Sequence, residues 1–344
     1  MNNENQTIHK SDDNLTIYGW NEKLNQLKQE SIYSALAHGR VSIVHRTCYE
    51  VISGNGLFQC ELTGNMMYGK SDDELPCTGD WVIFQPFDEH KGIIVDSLPR
   101  ERTLYRKKSG TVADKQAIAS YVDKAFIVQS LDDNFNVRRV ERFMVQIMEE
   151  NISSVLVLNK ADLDFDRQSV EEQIKHISSQ IPVFFTSIHQ LETIVRLRKS
   201  ISEGETVVFV GSSGVGKSSL VNALCEKPVL LTSDISLSTG KGRHTSTRRE
   251  MVLMDSSGVL IDTPGVREFG LAIDNPDSLA EVLEISDYAE LCRFKDCKHI
   301  NEPGCAVLEA VNSGCINNVI YDRLNNEESC VKINIENVKS QENV

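Results

Sequence analysis

Val207-Val208-Phe209-Val210-Gly211-Ser212-Ser213-Gly214-Val215-Gly216-Lys217-Ser218-Ser219 is the stretch that decides the fold. Four apolar, β-favouring residues run without a break into G-x-x-x-x-G-K-[ST], the pattern of a buried strand, a glycine-rich turn and the start of a helix. The glycines let backbone N–H groups turn inward around phosphate oxygens, and the helix N-terminus adds its positive end. Lys217 is placed to reach the β- and γ-phosphates of a bound nucleotide, and Ser218 to ligate Mg²⁺. A merely structural turn is the bland alternative, and the strand-loop-helix context argues against it. Residues 211–219 therefore read as a nucleoside triphosphate site.

A second motif lies upstream, where Asn159-Lys160-Ala161-Asp162 follows the run Val155-Leu156-Val157-Leu158. The Asp162 carboxylate can accept hydrogen bonds from the ring N–H and the exocyclic amine of guanine, and adenine offers no such pair of donors at that edge. A site built for that pair leaves a charge unpaired with ATP and discriminates strongly. Alone, N-K-x-D is weak and a helix-capping Asp would account for it; beside the phosphate loop it points to GTP and GDP. A third motif, Asp262-Thr263-Pro264-Gly265, ends the run Val259-Leu260-Ile261. Asp262 is placed to hold Mg²⁺ through water, and the Gly265 N–H to sense the γ-phosphate. Between them, Gly240-Lys241-Gly242-Arg243-His244-Thr245-Ser246-Thr247 is a polar loop in which a Thr hydroxyl would complete the Mg²⁺ shell, with Thr245 preferred slightly over Thr247.

The order of these motifs is informative. In ordinary GTPases the phosphate loop comes first and N-K-x-D last, whereas here N-K-x-D leads by 52 residues, counted from Asn159 to Gly211. The chain reads as circularly permuted, a rearrangement that keeps the sheet and moves only the ends. It also ties the switch after Asp262 directly to the C-terminal segment.

Outward from the loop, Ala125-Phe126-Ile127-Val128, Val155 to Leu158, Val183-Phe184-Phe185 and Val207 to Val210 alternate with helical stretches near 137–150, 169–179 and 189–201, as in a parallel sheet covered by helices. Upstream, from Arg40 to about Pro99, five short β-type runs start at Val41, Tyr49, Phe58, Trp81 and Gly92, separated by turn signals such as Gly54-Asn55-Gly56. They suggest a small barrel of the oligonucleotide-binding type, and an SH3-like barrel gives the same pattern. Arg100, Arg102, Arg106, Lys107 and Lys108 crowd the connection that follows, either as a solvated linker or as a phosphate-contacting strip. Trp20 to Ala37 is compatible with a helix, and the first dozen residues are expected to be loose.

Downstream of about Asp274 the pattern turns helical and holds Cys292-x4-Cys297-x-His299-x5-Cys305. Three thiolates and one imidazole suit tetrahedral Zn²⁺, and four protein ligands leave no open position, so the site is expected to be structural. Arg293, Lys295 and Lys298 make this segment basic; they either touch RNA phosphates or are solvated. Cys48, Cys60, Cys77, Cys225, Cys315 and Cys330 lack ligand spacing and receive no function.

The 344 residues predict two or three domains. With 40% hydrophobic and 25% charged residues the composition is that of a globular protein, which excludes a fibrous or wholly disordered chain. No run approaches the length of a spanning helix, and the start, Met1 to Ser11, lacks an apolar signal core, so a cytoplasmic protein without membrane partners is expected. The formal charge of −14 argues against non-specific coating of nucleic acid, leaving only local basic patches for RNA.

Permuted GTPase motifs behind a small barrel and ahead of a Cys/His knot resemble the ribosome small subunit-dependent GTPase A family of bacteria. The resemblance spans about residues 38–325 and includes Gly79-Asp80-Trp81-Val82, Leu98-Pro99-Arg100, Gly242-Arg243-His244-Thr245 and Pro264-Gly265-Val266-Arg267-Glu268-Phe269. The fold expected is α/β: a polar extension (1–34), an OB-fold β-barrel (35–105), a circularly permuted P-loop GTPase domain (106–273), a small mostly helical zinc-binding domain (274–330) and a polar tail (331–344). The resemblance implies a protein that docks on the small ribosomal subunit and its ribosomal RNA late in assembly and leaves after hydrolysis; a monomer is expected, although the sequence does not give the oligomeric state.

Hydrolysis needs something to orient the attacking water, a Gln after the switch glycine in many GTPases. Val266 occupies that position and cannot hydrogen-bond, so turnover by the chain alone should be slow. His244 is the nearest candidate to take over, a role the resemblance implies for the matching His. A group supplied by a partner is the other candidate, and a plain solvent-exposed loop His the bland one. The competing reading of the whole chain is a GTP-dependent RNA-binding clamp with incidental hydrolysis.

Overall fold

The computed structural model describes residues 14–71, 73–107, 115–133, 135–212, 214–226, 250–254, 258–262, 288, 291–294, 297–313, 315–316 and 321. Helix α1 (Glu22–Glu30) starts at Asn21, whose side chain accepts from the Leu24 N–H. Leu15, Trp20 and Leu24 are buried against Trp81, Ile83, Leu98 and Tyr121, so the stretch before the barrel is part of the core rather than a purely polar extension. Its few apolar residues cover the outward side of the barrel that Trp81 and Ile83 present, opposite the interior that Val82 and Phe84 enter, which composition alone does not reveal.

Five strands follow: β1 (Ala37–Val44), β2 (Tyr49–Ser53), β3 (Gly56–Leu62), β4 (Trp81–Asp88) and β5 (Lys91–Ser97). β1 pairs with both β2 and β4, and β3 runs parallel to β5, closing the strands in the order 1-2-3-5-4-1. That is the topology of an oligonucleotide-binding barrel. The short helix α2 (Gly64–Gly69) bridges β3 and β4 and drops Met66 into an interior filled by Val41, Val51, Phe58, Val82, Phe84 and Ile94.

The arginine-rich connection folds into a hairpin of β6 (Leu104–Lys107) and β7 (Lys115–Ala119). Three of its guanidinium groups have partners within the protein. Arg100 reaches the fully buried Asp80 at 2.7 Å, Arg102 reaches Asp123 at 2.9 Å, and Arg106 reaches the Gln116 side-chain oxygen at 2.7 Å. Each partner lies ten or more residues away, so the local spacing of basic residues could not show it.

The second half builds a sheet from β8 (Lys124–Ser130), β9 (Ser153–Asn159), β10 (Val183–Thr186), β11 (Thr206–Val210), β12 (Glu250–Leu253) and β13 (Val259–Asp262) in the order β10-β9-β8-β11-β13-β12. All neighbours are parallel except β12, and Glu250 of β12 pairs with Ile43 of β1, joining sheet and barrel. The strands are continuously apolar because both faces are covered. Ala125, Ile127, Leu156, Val208 and Val210 face α3 (Val137–Glu149) and the pair α4 (Arg167–Gln173) and α5 (Lys175–Ser178). Phe126, Val128, Val155, Val157 and Phe209 face α6 (Leu191–Lys199) and α7 (Lys217–Leu224). The last described helix, α8 (Ala306–Asn312), puts Val307, Ala310 and Val311 into the α3 side of the core. Most of the expected helical segment after 274, and the tail, lie outside the described residues.

Candidate functional site

Chain order explains where the motifs meet. From the central pair β8 and β11 the sheet grows outward in both directions, and the edge above that reversal point is where open α/β sheets bind ligands. Asn159 ends β9, Gly211 follows β11 and Asp262 ends β13, so all three motifs emerge at this edge.

Two glycines shape the loop. Gly211 has φ +149°, and a Cβ there would sit 2.3 Å from the Val128 carbonyl oxygen; Gly216 has φ +95°, and a Cβ there would sit 2.4 Å from the Asn159 side-chain nitrogen. Only glycine fits either place. The same Asn159 nitrogen donates to the Val215 carbonyl at 2.8 Å, while its oxygen accepts from Thr186 at 3.3 Å, tying the upstream motif to the phosphate loop. Gly214 is exposed and Val215 buried. Helix α7 begins immediately after Gly216 without a side-chain cap, so its leading N–H groups face the loop as an anion site.

Lys217 folds back over the loop and donates to the Gly211 and Ser212 carbonyls, both at 2.8 Å. Burial lowers its pKa and nearby Asp262 partly offsets this. The Ser218 hydroxyl donates to an Asp262 carboxylate oxygen at 3.3 Å, which gathers two hard oxygen donors of the kind Mg²⁺ takes. Ser219 is half-buried on α7.

On the other side of the loop, Lys160 adopts φ +61°, and its ammonium meets Asp132 at 2.8 Å. The Ala161 N–H donates to the Thr186 carbonyl at 2.9 Å. Asp162 accepts from the Ser187 hydroxyl at 2.5 Å, and that hydrogen bond holds its carboxyl below the usual range. Thr186, Ser187 and Asp132 escaped the sequence reading; the available signal was that they end or closely follow strands at the same edge. Ser213, His244, Thr245 and Gly265 lie outside the described residues.

Cys292, Cys297, His299 and Cys305 converge with their ligand atoms all within 4.8 Å of one another. The Cys292 and Cys305 sulfurs are 3.8 Å apart, and the His299 Nδ1 lies 3.5 and 3.4 Å from them. Ligands at about 2.3 Å from one tetrahedral centre are separated by about 3.8 Å, so the cluster fits a Zn²⁺-sized ion. The Glu302 carboxylate accepts from the Lys298 and Ile300 N–H groups at 2.9 Å and from Asn301 at 3.1 Å, fixing the turn that carries His299; these bonds pull its pKa down to about 2. The other described cysteines are free thiols.

The sequence model of one family, described as RsgA GTPase, matches residues 97–272. A small ribosomal subunit biogenesis GTPase RsgA 1 from Bacteroides thetaiotaomicron is 72% identical over 322 residues, covering 94% of this chain and 89% of the relative. The chain belongs to the RsgA GTPase family. A second relative, the small ribosomal subunit biogenesis GTPase RsgA of Methanosarcina acetivorans, is 38% identical, covering 92% of this chain and 86% of its own length. Among solved structures, YjeQ from Thermotoga maritima aligns with a TM-score of 0.64 at 25% identity, over 85% of this chain and 96% of that one. YloQ, a circularly permuted GTPase, aligns with a TM-score of 0.64 at 21% identity, over 89% and 98%. The chain is a GTP-hydrolysing enzyme with a circularly permuted GTPase domain, a closed five-stranded barrel before it and a Cys/His cluster after it. Among the described residues no helix is long and apolar enough to cross a membrane.

Proposed function

We propose that this RsgA GTPase is a Mg²⁺-dependent enzyme of the cytoplasm that binds the small ribosomal subunit in its GTP form, acts in late maturation and leaves after hydrolysis. The observation that carries the reading is the meeting of Asn159 to Asp162, the 211–219 loop and Asp262 on one sheet edge, in a chain 72% identical to a protein named for small-subunit biogenesis.

Asp162, braced by Ser187, would accept the paired donors of guanine. The N–H groups of the 211–219 loop and of the first turn of α7 would bind the phosphates. Lys217 would then exchange the Gly211 and Ser212 carbonyls for phosphate oxygens, relieving the cost of its burial. Ser218 and Asp262 would hold Mg²⁺, with Thr245 and Gly265 completing the shell and the γ-phosphate contact. The ion would neutralise charge developing on the β- and γ-oxygens. Val266 cannot orient water, so His244 would do so once the subunit has ordered its loop. Zn²⁺ would sit among Cys292, Cys297, His299 and Cys305 as a structural ion, and the barrel and this cluster would contact ribosomal RNA.

Co-sedimentation tests the partner. The chain should pellet with small subunits in the presence of a non-hydrolysable GTP analogue and much less with GDP or with large subunits; equal pelleting with all three would refute the reading.

A further inference from the structure

Lys160 is the one cation of the upstream motif, and its surroundings are unusually well built for a residue on a turn. Its left-handed backbone, φ +61°, sends the side chain back towards the end of β8 rather than out to solvent. There its ammonium meets Asp132 Oδ2 at 2.8 Å, with Asp132 only 24% exposed and Lys160 35%. Asp132 is itself held. Its other oxygen accepts from the Ser130 hydroxyl at 2.7 Å, and Ser130 is fully buried at the end of β8. The Leu131 N–H donates to the Asn159 carbonyl at 2.9 Å, so the β8 exit and the motif are joined by backbone as well. Asn159 then reaches the phosphate loop through Val215. A chain of direct contacts therefore runs from Ser130 through Asp132 to Lys160, alongside the contact that fixes the loop.

We infer that Asp132 is a positioning residue for guanine-nucleotide binding: it anchors the Lys160 ammonium and so fixes the wall of the base pocket that Lys160 and Asp162 form. This rests on the reading that residues 159–162 bind the base. An anchored lysine enters binding with its rotamer entropy already spent, whereas a free one must be ordered when the nucleotide arrives. The base lies away from the γ-phosphate, so the effect is equal for GTP and GDP and equal in ground and transition states.

The test is equilibrium binding of fluorescent GTP and GDP, with steady-state kinetics and melting temperature, for wild type, Asp132→Asn, Asp132→Glu, Lys160→Ala and the double variant Asp132→Asn/Lys160→Ala. Asp132→Asn should weaken both nucleotides by the same factor, about twofold to fivefold for a partly exposed charged pair. KM should rise with kcat unchanged, Asp132→Glu should recover most of the loss, and the second substitution should add nothing in the Lys160→Ala background. Unchanged affinities, an additive loss in the double variant, or a fall in kcat at constant KM would overturn the inference while leaving the GTP site intact. A wild-type protein that binds ATP as well as GTP would instead overturn the base-site reading, and the inference with it.

Discussion

Lys217 brings a charge into a site that buries it, and the carbonyls of Gly211 and Ser212 receive it in place of a phosphate. Because burial lowers its pKa, the folded state disfavours the protonated form relative to the unfolded chain. The cost to stability is full below the folded pKa and fades as pH rises from there to the higher unfolded pKa. Lys217→Ala should leave the melting temperature of the nucleotide-free protein unchanged or higher, while GTP affinity falls by about a hundredfold or more. A clear drop in melting temperature would contradict this account. The phosphate loop was legible because its glycines, lysine and serine are consecutive and each answers to local geometry. Asp132 and Ser187 were not, because their partners Lys160 and Asp162 stand 28 and 25 residues away on neighbouring strands.

At the scale of elements, unbroken apolar runs gave the sheet strands and alternating runs the barrel, because burial on two faces or one leaves a local mark. The β6–β7 hairpin and the burial of Leu15, Trp20 and Leu24 left no such mark, since both depend on contacts made across the fold. Arg100 shows what the arginine-rich stretch does. It donates to Asp80 and to the Asp73 and Leu75 carbonyls, while Asp80 also accepts from Ser120 at 2.5 Å and from the Cys77 N–H at 2.7 Å. Removing one member of a buried pair strands the other, so Arg100→Leu should destabilise the protein by about 3–5 kcal/mol in urea unfolding. A change under about 1 kcal/mol would show the pair to be dispensable. The metal cluster makes a parallel case: Glu302→Ala frees three N–H groups of the ligand turn and should weaken Zn²⁺ affinity about tenfold to a hundredfold in chelator competition, with GTP affinity unmoved. Equal zinc affinities would remove Glu302 from the site.

At the scale of the whole molecule, barrel and GTPase sheet form a single hydrogen-bonded surface. Glu50, Ile43, Glu250 and Asp262 are successive register partners across β2, β1, β12 and β13, a row that leads from the barrel to the proposed Mg²⁺ side of the site. Burial and the neighbouring Glu50 and Asp262 raise the Glu250 pKa, so the row is electrostatically coupled as well as hydrogen-bonded. α8 anchors the Cys/His cluster in the α3 face of the same core. A load applied to either flanking part thus meets a sheet that carries the nucleotide motifs at its edge. The net charge of −14 means that any RNA contact must be local, and within the basic strip Arg100, Arg102 and Arg106 each also hold a partner inside the protein. The most direct measurement is the rate of GTP hydrolysis by the purified chain alone, with small subunits, with large subunits and with free RNA, using ATP as the control nucleotide. Small subunits alone should raise the GTP rate by about a hundredfold, the scale of a positioned proton-transfer group, and His244→Ala should abolish the rise while preserving GTP binding. Equal rates with and without small subunits would contradict the account.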